Sequence, residues 1–275
     1  SQVFKVEFGG NCFTCHNVDA DGEFELLSEA VDTNEKGVPN PSQIPIPGAI
    51  LVQAGVTSSE LVEGGKLYDK WWRVASGASE PTEDHPLWSL QSTNTRSGST
   101  TWRCKECHGW DYRGEDGAYG SGSHYTGFPG VYDARTKSVY EVMDILKGKK
   151  NSDHDFSEVM DDNSLAKLAK FIAGGGVIDL RQYIDYDTKE PIGGDAEHGK
   201  ELYDSTCATC HGLDGRQIKF GDEVVGTIAN DNPWEFLHKV RFGQPGTSMP
   251  AGADIGWSIQ DAVDVLAYSQ TLPEE

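Results

Sequence analysis

All six cysteines of the 275-residue chain fall into three Cys-x-x-Cys pairs, and a histidine follows each pair at once. The triplets are Cys12, Cys15 and His16; Cys104, Cys107 and His108; and Cys207, Cys210 and His211. This spacing suits covalent haem attachment: two thiols add to the two vinyl groups of one haem, and the adjacent imidazole reaches the iron as an axial ligand. Three covalently attached haem c groups are therefore expected. Zinc ribbons join such pairs into four-ligand sites, and three pairs leave one over. A redox-active dithiol wants a βαβ context that is absent around all three pairs, and structural disulfides rarely join residues three apart. Haem attachment takes place outside the cytoplasm, and the sequence starts at Ser1 without methionine. A periplasmic or extracellular protein with its signal peptide removed is expected.

The elements that must position these motifs repeat along the chain. Gly65, Lys66, Leu67, Tyr68 and Asp69 precede the second motif, and Gly199, Lys200, Glu201, Leu202, Tyr203 and Asp204 precede the third. Both motifs continue into glycine, with Asp111 and Asp214 at the same offset. An amphipathic helix is expected after each, over 138–147 before Gly148 and over 233–242 before Gly243. A closing helix follows over 164–173, led by Asp162 or Asn163, and over 258–270. On these motifs and this order of elements, both units resemble small class I cytochrome c domains. The likeness covers residues 60–176 and 194–273, and it implies an all-α fold wrapped around one haem in each. The second unit carries a long insertion with Trp71, Trp72, His85, Trp88 and Trp102, expected to pack the core and the haem edge. The fold expected is mainly α: two cytochrome c-like haem domains in tandem, at 60–176 and 194–275. A linker at 177–193 joins them, and residues 1–59 form an irregular haem-binding extension with short strands.

Each low-spin iron needs a sixth ligand, usually His or Met. Met249 stands six residues past Gly243, where the resemblance places an axial methionine. The same count from Gly148 reaches His154, which replaces the usual methionine; Met160 is the alternative, and Met143 is expected to pack within a helix. The first motif has no sixth ligand nearby. His124, in the small-residue loop at 120–125, and His85, in the insertion, are the candidates, together with a histidine from another copy. His198 and His238 read as surface or hydrogen-bonding histidines. A thioether favours ferrous iron, so the third haem should hold the highest potential and the second a lower one.

Hydrophobic residues make up 37% of the chain and the mean hydropathy is -0.51. That is lean for domains that must each bury a core, and a large apolar cofactor would fill the difference. A net charge of -21 repels nucleic acid and anionic membrane surfaces. No run of about 18 apolar residues could cross a bilayer. The expected activity is therefore electron transfer between redox partners, or within a larger complex, with no bond chemistry of its own. Alternatives are a polymeric extracellular filament with haem ligands shared between copies, and a peroxidase-type enzyme with an open iron. No cysteine is left over to serve as an axial ligand.

Overall fold

The computed structural model describes residues 56–275 in full and, ahead of them, only the backbone of five short strands. The chain divides into two compact units, Ser1–Pro47 and Gly48–Glu275. In the first, β1 (Gln2–Val3), β2 (Val6–Phe8), β3 (Asn11–Phe13), β4 (His16–Val18) and β5 (Phe24–Leu26) are assigned. They pair antiparallel in the order β1-β4-β5, with β2 and β3 as a separate pair. Cys12 falls in β3 and His16 opens β4; Cys15 and the side chains of this motif lie outside the described residues.

The part Gly48–Glu275 is mainly helical. Helix α1 (Ser58–Lys70) starts at Thr57, whose side chain accepts from the Glu60 N–H while the Glu60 carboxylate accepts from the Thr57 N–H at 2.9 Å. That reciprocal cap satisfies donors that a helix start leaves bare. The short α2 (Cys104–His108) holds the second motif, and α3 (Val139–Leu146) repeats the capping arrangement with Ser138 and Glu141. Helix α4 (Asp162–Ala173) is capped by Asp161, one residue ahead of the expected cap, because its carboxylate accepts from the N–H groups of Asn163 and Ser164. The third motif follows α5 (Ala196–Thr206) within α6 (Ala208–His211). Then come α7 (Val225–Asp231), α8 (Pro233–Phe242) and α9 (Ile259–Ser269).

Two helix pairs carry the core: α1 crosses α4, and α5 crosses α9. A glycine makes each crossing possible. A Cβ on Gly64 would collide with the Lys167 carbonyl and the Phe171 side chain, and one on Gly199 with the Asp264 carbonyl. The stretch between the two helix pairs packs down, with Val177, Leu180 and Ile184 all buried and Tyr186 edge-on to Trp234. The helical unit is joined again where α1 meets α8. There Asp69, fully buried, forms ion pairs with Arg103 and with Lys239 of α8.

Candidate metal centres

Each described motif folds as a short helical turn that ends on a glycine with positive φ, Gly109 at 77° and Gly212 at 79°. Only glycine adopts that conformation freely, and it turns the chain away as soon as the histidine is placed. A tyrosine from the preceding helix anchors each turn. The Tyr68 hydroxyl donates to the Gly109 carbonyl at 2.7 Å, and Tyr203 donates to that of Gly212 at 3.0 Å. These tyrosines align the two units with Gly64 as the counterpart of Gly199, one residue before the Gly65 that the sequence repeat suggests. Gly65 has a separate neighbour, the Phe242 ring of α8.

A cavity of about 580 Å³ opens beside the second motif, lined by Cys104, Cys107, His108, His85 and His154 among largely apolar neighbours. This volume is in the range of cofactor sites. His108 Nδ1 lies 2.6 Å from the Pro129 carbonyl oxygen. A carbonyl only accepts, so the proton sits on Nδ1 and the Nε2 lone pair is left for a metal. The ring centroids of His108 and His154 are 6.2 Å apart. Two imidazoles bound on opposite sides of one metal through bonds of about 2 Å place their centroids about 6 Å apart. His154 Nδ1 is buried without a partner. Burial pushes His108 down to about 4 and lowers His154, so both rings stay neutral and able to ligate at neutral pH. Met160 is buried in the core and is not part of the cavity wall.

The third motif has a cavity of about 190 Å³, lined by Cys207, Cys210, His211 and Met249, with Val240, Phe220 and Trp257 around them. His211 Nδ1 is buried and unpartnered, and burial lowers the histidine's pKa. Burial pushes the Cys104 and Cys107 thiols up to about 12 and Cys207 up to about 11. A reactive dithiol needs the opposite shift. A histidine, a second donor, a cysteine pair and mostly apolar walls are a donor set that suits a haem at both cavities, and the second also has a cofactor-sized volume.

The remaining histidines have other surroundings. His85, a candidate for the first motif on sequence grounds, lines the second cavity instead; its Nδ1 accepts from the Leu87 N–H at 3.2 Å, and its ring meets Trp102 at 4.5 Å. His124 stacks on Tyr119 at 4.3 Å, its Nδ1 is 3.3 Å from Glu106, and its Nε2 is 3.0 Å from Arg96. Both ring nitrogens thus have partners in their own unit. Glu106, between the two cysteines of the motif, is fully buried with Lys105 at 2.6 Å and Asn94 at 2.8 Å. The insertion therefore covers the outer face of the motif through Asn94 and Arg96, which its aromatic content alone does not reveal. His198 pairs with Asp264 at 2.8 Å. His238 is buried, with hydrogen bonds at both nitrogens.

Residues 194–268 match the family described as cytochrome C oxidase, cbb3-type, subunit III. The chain is also 30% identical over 89 residues to cytochrome c-554(547) of Halothiobacillus neapolitanus, an alignment that covers 29% of this chain and 98% of that protein. The family match spans Cys207, Cys210, His211 and Met249 with their apolar cavity, a set that suits a covalently bound haem, and the chain belongs to the c-type cytochromes.

Proposed function

We propose that this protein is a tri-haem electron carrier that works outside the cytoplasm, passing electrons between redox proteins without bond chemistry of its own. The observation that carries the reading is the 6.2 Å spacing of His108 and His154 across a cavity that also holds Cys104 and Cys107. In this reading residues 60–176 and 194–275 are haem domains joined by 177–193, and residues 1–59 are a haem-bearing extension. Cys104 and Cys107 attach the second haem between His108 and His154. Cys207 and Cys210 attach the third between His211 and Met249. Cys12, Cys15 and His16 serve the first.

When bound, the haem supplies a one-electron couple, and the protein decides its potential and access. The Pro129 carbonyl keeps the His108 proton on Nδ1, which fixes the ring and makes Nε2 a better donor. The largely apolar walls favour the macrocycle and limit the polar groups near it. Met249 makes the third site the more oxidising, so electrons run from the second site to the third. His154→Ala should turn one haem high-spin in the electronic spectrum while Met160→Leu leaves all low-spin. The reverse pattern would assign Met160 to the iron.

A second reading is favoured by the engagement of both nitrogens of His124 and by the place of His85 in the second cavity. A histidine from another copy then completes the first haem, and copies join into a filament. Electron micrographs of the purified protein, with spectra taken on dilution, distinguish a carrier from a polymer.

A further inference from the structure

Helix α8 lies between the third cavity and the elements that carry the second motif. Val240 of α8 lines the third cavity. His238, two residues earlier on the same helix, is turned about 200° away from it, and it faces the second unit. Its Nε2 lies 2.9 Å from the Gly65 carbonyl of α1, and its Nδ1 lies 2.9 Å from the Tyr112 hydroxyl. The carbonyl can only accept, so Nε2 carries the proton and Nδ1 accepts from Tyr112. Burial pushes His238 down to about 3, so the ring is neutral and this arrangement of protons is fixed.

Tyr112 is the fourth residue after His108, on the loop that leaves the second motif. The loop Gly109, Trp110, Asp111, Tyr112 corresponds to Gly212, Leu213, Asp214, Gly215 after the third motif. Gly215 has φ 74° and Tyr112 has φ 67°. The fold thus asks for a left-handed residue here and receives glycine in one unit. In the other it receives a bulky side chain, at a cost in backbone strain. Trp110 is likewise fully buried where Leu213 is exposed, and its ring lies 4.8 Å from His238. The second unit gives up an easy turn in order to place a hydroxyl on His238.

We propose that Tyr112 and His238 form a hydrogen-bonded bridge that carries electrons between the second and third haem sites, making residues 48–275 a single two-centre conductor. The proposal rests on both cavities holding haem. The route is covalent from His108 to the Tyr112 ring, crosses one hydrogen bond, and continues covalently from His238 through α8 to Val240 in the wall of the third cavity. Tunnelling decays less steeply through bonds than across gaps, so a path bonded as far as the wall of the third cavity raises the coupling over that of packed side chains alone. A haem held by His108 would supply the electron and one held by His211 would accept it, so one centre's loss balances the other's gain. No proton moves, because both bridge protons keep their places.

The test is intramolecular electron transfer in the full chain, followed optically after photochemical injection of one electron. His238→Phe keeps an aromatic ring but removes both hydrogen bonds. Tyr112→Phe keeps the strained residue and its ring but removes the hydroxyl. His238→Gln can still donate to Gly65 and accept from Tyr112. The proposal expects His238→Phe and Tyr112→Phe to slow equilibration several-fold and His238→Gln to stay near the unmodified rate. Axial-ligand spectra and small-angle scattering should be unchanged in all three. Unchanged rates in both phenylalanine variants overturn the bridge. So does equal slowing in His238→Gln, which would tie the effect to the ring rather than to the bonds. A chain mass showing fewer than two haems within residues 48–275 would instead overturn the reading on which the bridge rests.

Discussion

In the proposed reading, Met249 and His154 at corresponding places would give two otherwise similar sites different electrical character. Thioether sulfur stabilises ferrous iron relative to a second imidazole. Met249→His should therefore lower the midpoint potential of one haem by roughly 0.1–0.3 V, a fraction of the roughly 0.8 V that axial ligation spans. The other haems should hold their potentials. A redox titration that superimposes on that of the unmodified protein would mean that Met249 is not axial. That Cys207, Cys210, His211 and Met249 line one cavity was legible in the sequence, because each is defined by near neighbours in the chain. His238 was legible only as a surface or hydrogen-bonding histidine, since the partners that decide it, Tyr112 and Gly65, lie 126 and 173 residues away. His85 escaped for a related reason: its place in the second cavity depends on how the insertion folds back over the motif.

Among the helices, the glycine crossings decide how closely the pairs approach. Gly64 lets α1 rest on α4, and Gly199 lets α5 rest on α9. Gly64→Ala forces a methyl group against the Lys167 carbonyl, and overpacking of this kind costs about 1–3 kcal/mol. Chemical denaturation should show that loss with haem content intact; an unchanged midpoint would mean that α1 can slide at no cost. Removing the α4 cap with Asp161→Ala should cost about 1 kcal/mol by the same measurement. The helices themselves could be read from their periodicity and stop signals, since α8 ends at Phe242 before Gly243 as expected. The repeat read from Gly65 was off by one residue: the shared Leu-Tyr-Asp at 67–69 and 202–204 pairs Gly64 with Gly199, and the Tyr68 hydroxyl on Gly109, matched by Tyr203 on Gly212, agrees with that register.

At the scale of the molecule, the helical unit is held together by charge as well as by apolar packing. Burial alone would raise the Asp69 pKa, but Lys239 and Arg103 outweigh it and hold the carboxyl well below the usual carboxylate range. A depressed folded pKa means that this contribution is complete above the unfolded value near 3.8 and fades as pH falls below it. Asp69→Asn leaves Lys239 and Arg103 largely buried without their counter-charge, which costs about 3–5 kcal/mol. Acid unfolding of the unmodified chain should therefore have a component below pH ~4 that the variant lacks. Identical acid limbs would remove Asp69 from the account.

The most direct measurement is the mass of the denatured chain with the covalent haem spectrum of the same sample. Thioether bonds survive unfolding whereas axial bonds do not, so the account predicts three haems on each chain. Peptides spanning Cys12 to Cys15, Cys104 to Cys107 and Cys207 to Cys210 should carry one haem each. Free thiols at any of these pairs, or zinc in place of iron, would contradict it.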